Sequence, residues 1–561
     1  MYNEGIDRSQ GELIRMMRPI VDVAARIGVP AEQLEFYGKY KAKLGQEVWE
    51  ANAHRPDGKL ILVSAMNPTP AGEGKTLTTI GLTQGLNRIG RQAVAALREP
   101  SLGPCMGMKG GATGSGRARI VPAEDINLHF TGDIHAITSA HNLLAAMIDN
   151  HLYQGNALGI QPERIVWKRA VDMNDRALRH IVVGLGDGNG AVREDGFMIT
   201  TASEIMAVLC LSEDMDDMRT RLGRMVVAYT YEGEPVTATQ LQAVESMCVL
   251  LKDAIHPNLV QTVEGDPVLV HGGPFANIAH GCSSVRATRY ALKLADYVVT
   301  EAGFGADLGA EKFMDIKCRQ SGLAPSVVVL VATVRALKYN GGLAKDQLEQ
   351  NSPEALTAGF ANLRRHVENM RSFGVPVVVA VNRFAADTQR ELEAVQRMCR
   401  EIGAEAILSE AWARGGEGSA ALAEAVVRLA EAQEEGRFRL LYEDTLPIEE
   451  KIEAIVTRIY HGAEVAYSPA AKRALRELKQ FDTAKLPVCM AKTPYSFSDR
   501  PGLLGAPEGF TLEVRDIRWS AGAGFLVVHT GQVLTMPGLP KHPAAERIRL
   551  DQEQGVVGLS G

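Results

Sequence analysis

Short apolar runs alternate with stretches of helical spacing through most of the chain up to Ile402. Leu60–Val63, Ala93–Leu97, Ile181–Leu185, Pro267–His271, Tyr297–Glu301, Ser326–Thr333 and Pro376–Asn382 are short and mostly rich in Val, and several end in a polar residue. Such runs predict buried strands. Ile137–His151, Ala202–Leu211, Glu354–Ser372 and Thr388–Ile402 predict the intervening helices. Strand–helix alternation predicts an α/β fold: a phosphate-loop-type, mostly parallel sheet with helices on both faces and ligands at the carboxyl ends of the strands. Further along, Ser419–Tyr467 is helix-rich and contains the charged run Glu431–Arg439, which suggests a junction. Pro487–Leu559 is richer in Gly, Pro and strand-like runs (Leu512–Arg515, Gly524–His529). The expected division is a nucleotide-binding domain over 1–330 with an N-terminal helical segment, a second α/β domain over 331–460, and a small α+β domain over 461–561. No internal repeat is visible.

Composition narrows the class. At 561 residues, 46% hydrophobic and 23% charged, the chain has the make-up of an ordinary globular protein with room for a large core. Its net charge of −7 argues against a nucleic-acid-binding surface. The 7 cysteines are scattered without a Cys-x-x-Cys pair, so they read as reduced, buried thiols and not as zinc ligands or a disulfide framework. Residues 1–30 carry charges throughout, and no apolar run reaches the ~18 residues of a membrane helix. A cytoplasmic protein with neither nucleic-acid nor membrane partners is expected.

The candidate chemistry begins with Thr69, Pro70, Ala71, Gly72, Glu73, Gly74, Lys75 and Thr76, which lie between an apolar run and a helical one. A strand, a glycine-bearing loop and a helix form a cradle of backbone N–H groups at a helix N-terminus, suited to phosphate. Lys75 would reach the β- and γ-phosphates of a nucleotide, and the Thr76 hydroxyl would ligand Mg²⁺. Arg98 and Glu99 follow a strand end, where Arg98 could bridge anions and Glu99 could ligand the metal; a surface ion pair is the alternative. Glu301 closes an apolar strand ahead of Gly303 and Gly305, a layout that orders metal and water near a γ-phosphate; a purely structural strand end is the alternative. The glycine run Gly103–Gly116, with Lys109 inside it, reads as a loop that brings backbone close to an anion. Asn382 could read a heterocycle edge, and Phe384 and Trp412 could present faces for stacking; core aromatics are the alternative. Asp133 follows a glycine and reads as a helix N-cap, with catalysis as the second reading. His129, His135 and His141 do not share a helix face, so no three-histidine metal site follows. His271 before Gly272-Gly273 is placed either to meet a ligand or as a core histidine.

These residues resemble the formate–tetrahydrofolate ligase (10-formyltetrahydrofolate synthetase) family. The resemblance runs essentially the length of the chain. It is carried by Leu34–Lys43, Asp125–Asp133, Thr300–Lys312, Val331–Gly342 and Thr535–Lys541. It implies ATP + formate + tetrahydrofolate → ADP + phosphate + 10-formyltetrahydrofolate through formyl phosphate, a step of one-carbon metabolism. It also implies a pterin clamp made by Phe384 and Trp412, active-site roles for Asp133 and His271, a homotetramer, and activation by a monovalent cation such as K⁺ or NH₄⁺. The chain departs from the family pattern at Thr113, Ser115, Arg119, Ser283 and Pro494. A ligase for another small carboxylate or amine, and a nucleotide-dependent switch, are the rival readings.

Overall fold

The computed structural model describes residues 17–70, 72–433, 436–531, 533–552 and 555–559. Seven parallel strands form the centre: β1 Lys59–Ala65, β2 Ala93–Leu97, β3 Pro267–Val270, β4 Tyr297–Glu301, β5 Val327–Ala332, β6 Val377–Asn382 and β7 Glu405–Ser409. They lie in the order β3-β2-β4-β1-β5-β6-β7. Beyond β3 the sheet continues antiparallel through Asn258–Thr262, Ala42–Leu44 and Leu34–Phe36.

The central strands are almost continuously apolar because both faces are covered. Ile61, Val63 and Ala65 pack with Leu82 and Leu86 of the helix Lys75–Arg88 and with Leu422 and Val426 of Ala420–Ala432. Leu60 and Leu62 face the opposite side, with Leu337, Leu363 and Val395 from Val334–Asn340, Pro353–Ser372 and Gln389–Glu401. The chain leaves β1 towards β2 and leaves β4 towards β5, in opposite directions across the sheet. The divergence opens a crevice at the carboxyl ends of β1 and β4, where open α/β sheets bind ligands.

The boundary expected at residue 330 falls inside β5, and the segment after it adds β6 and β7 to the same sheet. Ile181–Val183 does form a strand, but in an exposed two-stranded ribbon with Arg193–Asp195, where Leu185 is 65% exposed. A β-branched run specifies the extended backbone but not its burial, and here Val182 is 56% exposed. The glycine run is packed: a Cβ on Gly103 would lie 2.6 Å from Asn174 Oδ1, and one on Gly116 would lie 2.2 Å from the Trp412 carbonyl oxygen. At these two positions close approach to other parts of the chain already requires glycine.

Candidate active site

The phosphate-type loop follows β1. Gly74 adopts φ +79°, and the helix Lys75–Arg88 starts at the next residue. Thr69 and Glu73 are buried, and Ala71 lies outside the described residues. Glu73 turns inward. It accepts hydrogen bonds from the Thr69 backbone N–H at 2.7 Å, the Thr69 hydroxyl at 2.8 Å and the Thr333 hydroxyl. Burial raises its carboxyl above the usual range, and the hydrogen bond from Thr333 opposes that rise. Glu73 therefore shapes the loop from behind.

Thr76 faces the other way, and its hydroxyl donates to Glu301 Oε2 at 2.8 Å. Arg98 Nη2 stands 3.9 Å from Glu301 Oε1. The loop and the ends of the adjacent strands β2 and β4 thus bring together Thr76, Arg98 and Glu301, with Lys75 on the first turn of the helix. A hydroxyl and a carboxylate beside a helix N-terminus are the oxygen donors a hard divalent cation takes, and the guanidinium supplies charge for an anion.

Among the described residues the Glu99 side chain makes no hydrogen bond or ion pair with this group. Its carboxyl is buried with Oε2 lacking a hydrogen-bond partner among the described residues. Burial pushes it well above the usual carboxylate range, Asp133 adds to the rise, Lys43 opposes it and Asp172 adds further. The hydroxyl of Thr76 is thus paired with Glu301 and not with Glu99.

Asp133 opens the helix Asp133–Tyr153, but the N-cap position is Gly132. Its carboxylate is fully engaged in the interior, with Lys43 Nζ at 2.8 Å and Asn258 Nδ2 at 2.7 Å. Lys43, at the end of the family-like segment Leu34–Lys43, was not singled out in the sequence; its charge stands between Ala42 and Leu44 in a short apolar strand.

His271 is a core histidine. Its Nε2–H donates to the Ala254 carbonyl at 2.7 Å. Ser284, whose hydroxyl oxygen accepts the Ala287 N–H at 2.8 Å, donates to Nδ1 at 2.7 Å. Both ring nitrogens are used, and burial lowers the pKa to about 3. The ring is neutral and its two hydrogen bonds lie inside the protein, the core-histidine alternative of the sequence reading.

On the far side of the loop, Asn382 ends β6 and is 3% exposed. Its amide nitrogen donates to the Glu73 carbonyl at 3.2 Å, and it sits 2.5 Å from where a Gly74 Cβ would stand. Asn382 thus braces the loop through its amide nitrogen. Phe384 follows on the same loop, half-buried, with its backbone N–H on Asp387 Oδ2 at 2.7 Å. Trp412 follows β7, is 52% exposed, and is held at its backbone by Arg117 N–H at 2.9 Å. Phe384 and Trp412 therefore come from the carboxyl ends of neighbouring strands, with the Trp412 ring open to solvent. The Lys109 side chain lies outside the described residues.

The departures from the family pattern are accommodated locally. Thr113 accepts from Asn127 at 3.1 Å, Ser115 lies in a two-residue hairpin strand paired with Ala118, and Arg119 stands opposite Gly114. Ser283 donates to the His271 carbonyl at 3.3 Å. Pro494 accepts through its carbonyl from Asn67, just before the phosphate-type loop, at 3.2 Å.

A parallel α/β sheet with a glycine loop between β1 and its helix, and a carboxylate of the neighbouring strand bonded to the residue after the loop lysine, defines a phosphate-loop type of enzyme. A family model described as formate–tetrahydrofolate ligase matches residues 9–560. A curated relative from Rhizobium rhizogenes (strain K84), named formate–tetrahydrofolate ligase, is 60% identical over 542 residues, covering 96% of this chain and 97% of its own. The chain belongs to the formate–tetrahydrofolate ligase family and is an enzyme that joins carbon to nitrogen. Among the described residues no helix is long and apolar enough to cross a membrane.

Proposed function

We propose that the protein makes 10-formyltetrahydrofolate from formate and tetrahydrofolate, consuming ATP and releasing ADP and phosphate through formyl phosphate. The observation that carries this reading is the Thr76–Glu301–Arg98 constellation beside the phosphate-loop helix. Formate and the γ-phosphate are both anionic, and two unit charges ~4 Å apart repel by roughly 4 kcal/mol at an effective dielectric of about 20. Lys75 and Arg98 offset that repulsion, and the N–H groups at the start of the helix Lys75–Arg88 hold the phosphate oxygens. A formate oxygen attacks the γ-phosphorus, the bond to ADP breaks, and formyl phosphate forms. The folate N10 amine then attacks the formyl carbon, phosphate leaves with the electron pair of its C–O bond, and the amine proton is lost.

Thr76 and Glu301 fit Mg²⁺, since both present oxygen and lie 2.8 Å apart; the ion would neutralise charge on the phosphates. Phe384 and Trp412 stack the two faces of the pterin, which keeps folate close to a water-sensitive intermediate. The homotetramer, the cytoplasmic location and activation by K⁺ or NH₄⁺ are parts of the same proposal.

Lys75→Ala tests the core of it. Because Lys75 sits at the start of the helix and outside the packed core, the variant should keep its melting temperature and lose ADP production that depends on both formate and tetrahydrofolate. Wild-type turnover in the folded variant would remove the loop from the mechanism.

A further inference from the structure

A single buried hub holds the turns that follow β1 and β4. Asn67 stands just ahead of Thr69, and each of its polar atoms is engaged. Its side-chain nitrogen donates to Asp307 Oδ1 at 3.1 Å and to the Pro494 carbonyl at 3.2 Å. Its side-chain oxygen accepts from Asn362 at 2.8 Å, its backbone N–H donates to His366 Nε2 at 3.1 Å, and its carbonyl accepts from Asn340 at 3.3 Å. Asp307 sits on the short π-helix Ala306–Ala310 that follows Glu301. Its second oxygen accepts from Lys492 Nζ at 2.7 Å, and both side chains are 0% exposed. Lys492 follows the strand Val488–Ala491, which lies outside the central sheet. It also donates to the carbonyls of Thr493 and Ser496 and stands over the Tyr460 ring, 4.8 Å from the centroid.

Between Glu301 and Asp307 the backbone is bent against preference. Phe304 has φ +59°, a left-handed conformation that a bulky side chain disfavours. A Cβ on Gly305 would stand 2.6 Å from Asp307 Oδ1 and 3.3 Å from Asn67 Nδ2, and one on Gly303 would stand 3.4 Å from Arg98 Nη1. The turn is thus gripped on one side by the hub and lies on the other against the guanidinium that faces Glu301. Backbone of this kind persists only where its surroundings over-determine it, and it collects at functional sites. A fully buried ion pair adds little net stability over apolar side chains of the same size. What the Lys492–Asp307 pair supplies is direction: with one carboxylate oxygen fixed by the ammonium, the other is presented to Asn67.

We propose that Lys492 and Asp307 are positioning residues for phosphoryl transfer: acting through Asn67 and the turn Gly303–Gly305, they hold the phosphate loop, Glu301 and Arg98 in register with one another. Neither side chain reaches the surface, so neither touches a reactant. The C-terminal part of the chain thereby completes a site whose reacting groups all lie on the central sheet. The inference rests on the reading that Thr76, Arg98 and Glu301 meet nucleotide and formate.

The test compares three proteins: wild type, a first double variant with Asp307→Leu and Lys492→Met, and a second with Asp307→Asn and Lys492→Met. Measured on each are the kcat for ADP production that depends on formate and tetrahydrofolate, the KM for each substrate, and the melting temperature. The first double variant removes both charges together, so its melting temperature should stay near wild type. Its kcat should fall by about ten- to a hundredfold, the cost of reacting groups misplaced by about 1 Å, with the KM for tetrahydrofolate nearly unchanged. The second is equally uncharged but returns an oxygen for Asn67 to donate to, and should recover most of the lost kcat. A first double variant with wild-type kcat, or two double variants equally slow at a wild-type melting temperature, would overturn the proposal. Should the first fold poorly, Asn67→Asp serves in its place. Asp307, His366 and, beyond Asp307, Lys492 are the titratable groups around that position. The new carboxyl donates to Asp307 when protonated, as the amide does, and repels it when ionised. Its kcat relative to wild type should therefore rise as pH falls, under conditions where both are folded, and a ratio that does not change with pH would overturn the proposal. If the wild type itself makes no such ADP, the reading of the site fails and the inference with it. If the wild type does and the first double variant matches it, the inference fails alone.

Discussion

Three glutamates close to the phosphate-type loop in sequence or space have three fates. Glu73 is buried behind the loop as a brace, Glu99 is buried beside Asp133 and Lys43, and Glu301 meets the Thr76 hydroxyl. Residue type and position, in the glycine loop for Glu73 and at a strand end for Glu99 and Glu301, marked all three as candidates. Only the partner each carboxylate finds separates them, and that depends on which strand lies next to which. Glu301→Gln should therefore raise the apparent Mg²⁺ requirement of the reaction, whereas Glu99→Gln should leave it near wild type. The opposite ranking would return the metal to Glu99. Trp412 is the other residue whose role the sequence left open. With 52% of its surface exposed, Trp412→Ala should lower the melting temperature little. It should raise the folate KM by about five- to a hundredfold, on a stacking scale of ~1–3 kcal/mol per ring. A large loss of stability with an unchanged folate KM would make it a packing residue.

At the scale of elements, the parallel strands and the long helices were legible because burial on both faces leaves an unbroken apolar run. Asp133–Tyr153, Pro353–Ser372 and Gln389–Glu401 fall within a few residues of their expected spans. The ribbon Ile181–Val183 was misplaced because extended propensity does not say what covers a strand. Contacts between distant elements were not legible at all. Lys43 reaches Asp133 across 90 residues of chain, and no local pattern announces such a pair. Glu204 is a further case: at the start of the helix Glu204–Leu211 it accepts from the Gly522 and Ala523 N–H groups. Burial raises its carboxyl to about 7. In the folded protein it therefore keeps a proton that the unfolded chain releases near its ordinary pKa of about 4.3. The stability it contributes is full below that pH and is lost as pH rises to about 7. Glu204→Gln should match the wild-type melting temperature in acid and gain on it steadily up to neutral pH. A constant gap between the two across that range would show that Glu204 does not titrate in the folded state.

For the whole molecule, the sheet order explains why residues scattered from Lys75 to Trp412 belong together. β4 sits between β1 and β2, so Glu301 and Arg98 end beside Thr76. β6 and β7 lie next to each other, so Phe384 and Trp412 rise from adjacent loops on the same edge. The phosphate loop was legible as a motif because its glycines and lysine are local in sequence. The braces around it (Thr333 and Asn382) became visible only once β5 was placed beside β1 and β6 beside β5. The central claim is that formate attacks the γ-phosphate before its carbon reaches folate. The most direct measurement supplies formate labelled with ¹⁸O and analyses the released phosphate by mass. The account predicts one ¹⁸O per phosphate, formed when ATP and tetrahydrofolate are both present and absent when Lys75 is replaced by Ala. Phosphate released at the same rate without label would contradict it, because its fourth oxygen would then have come from water and not from formate.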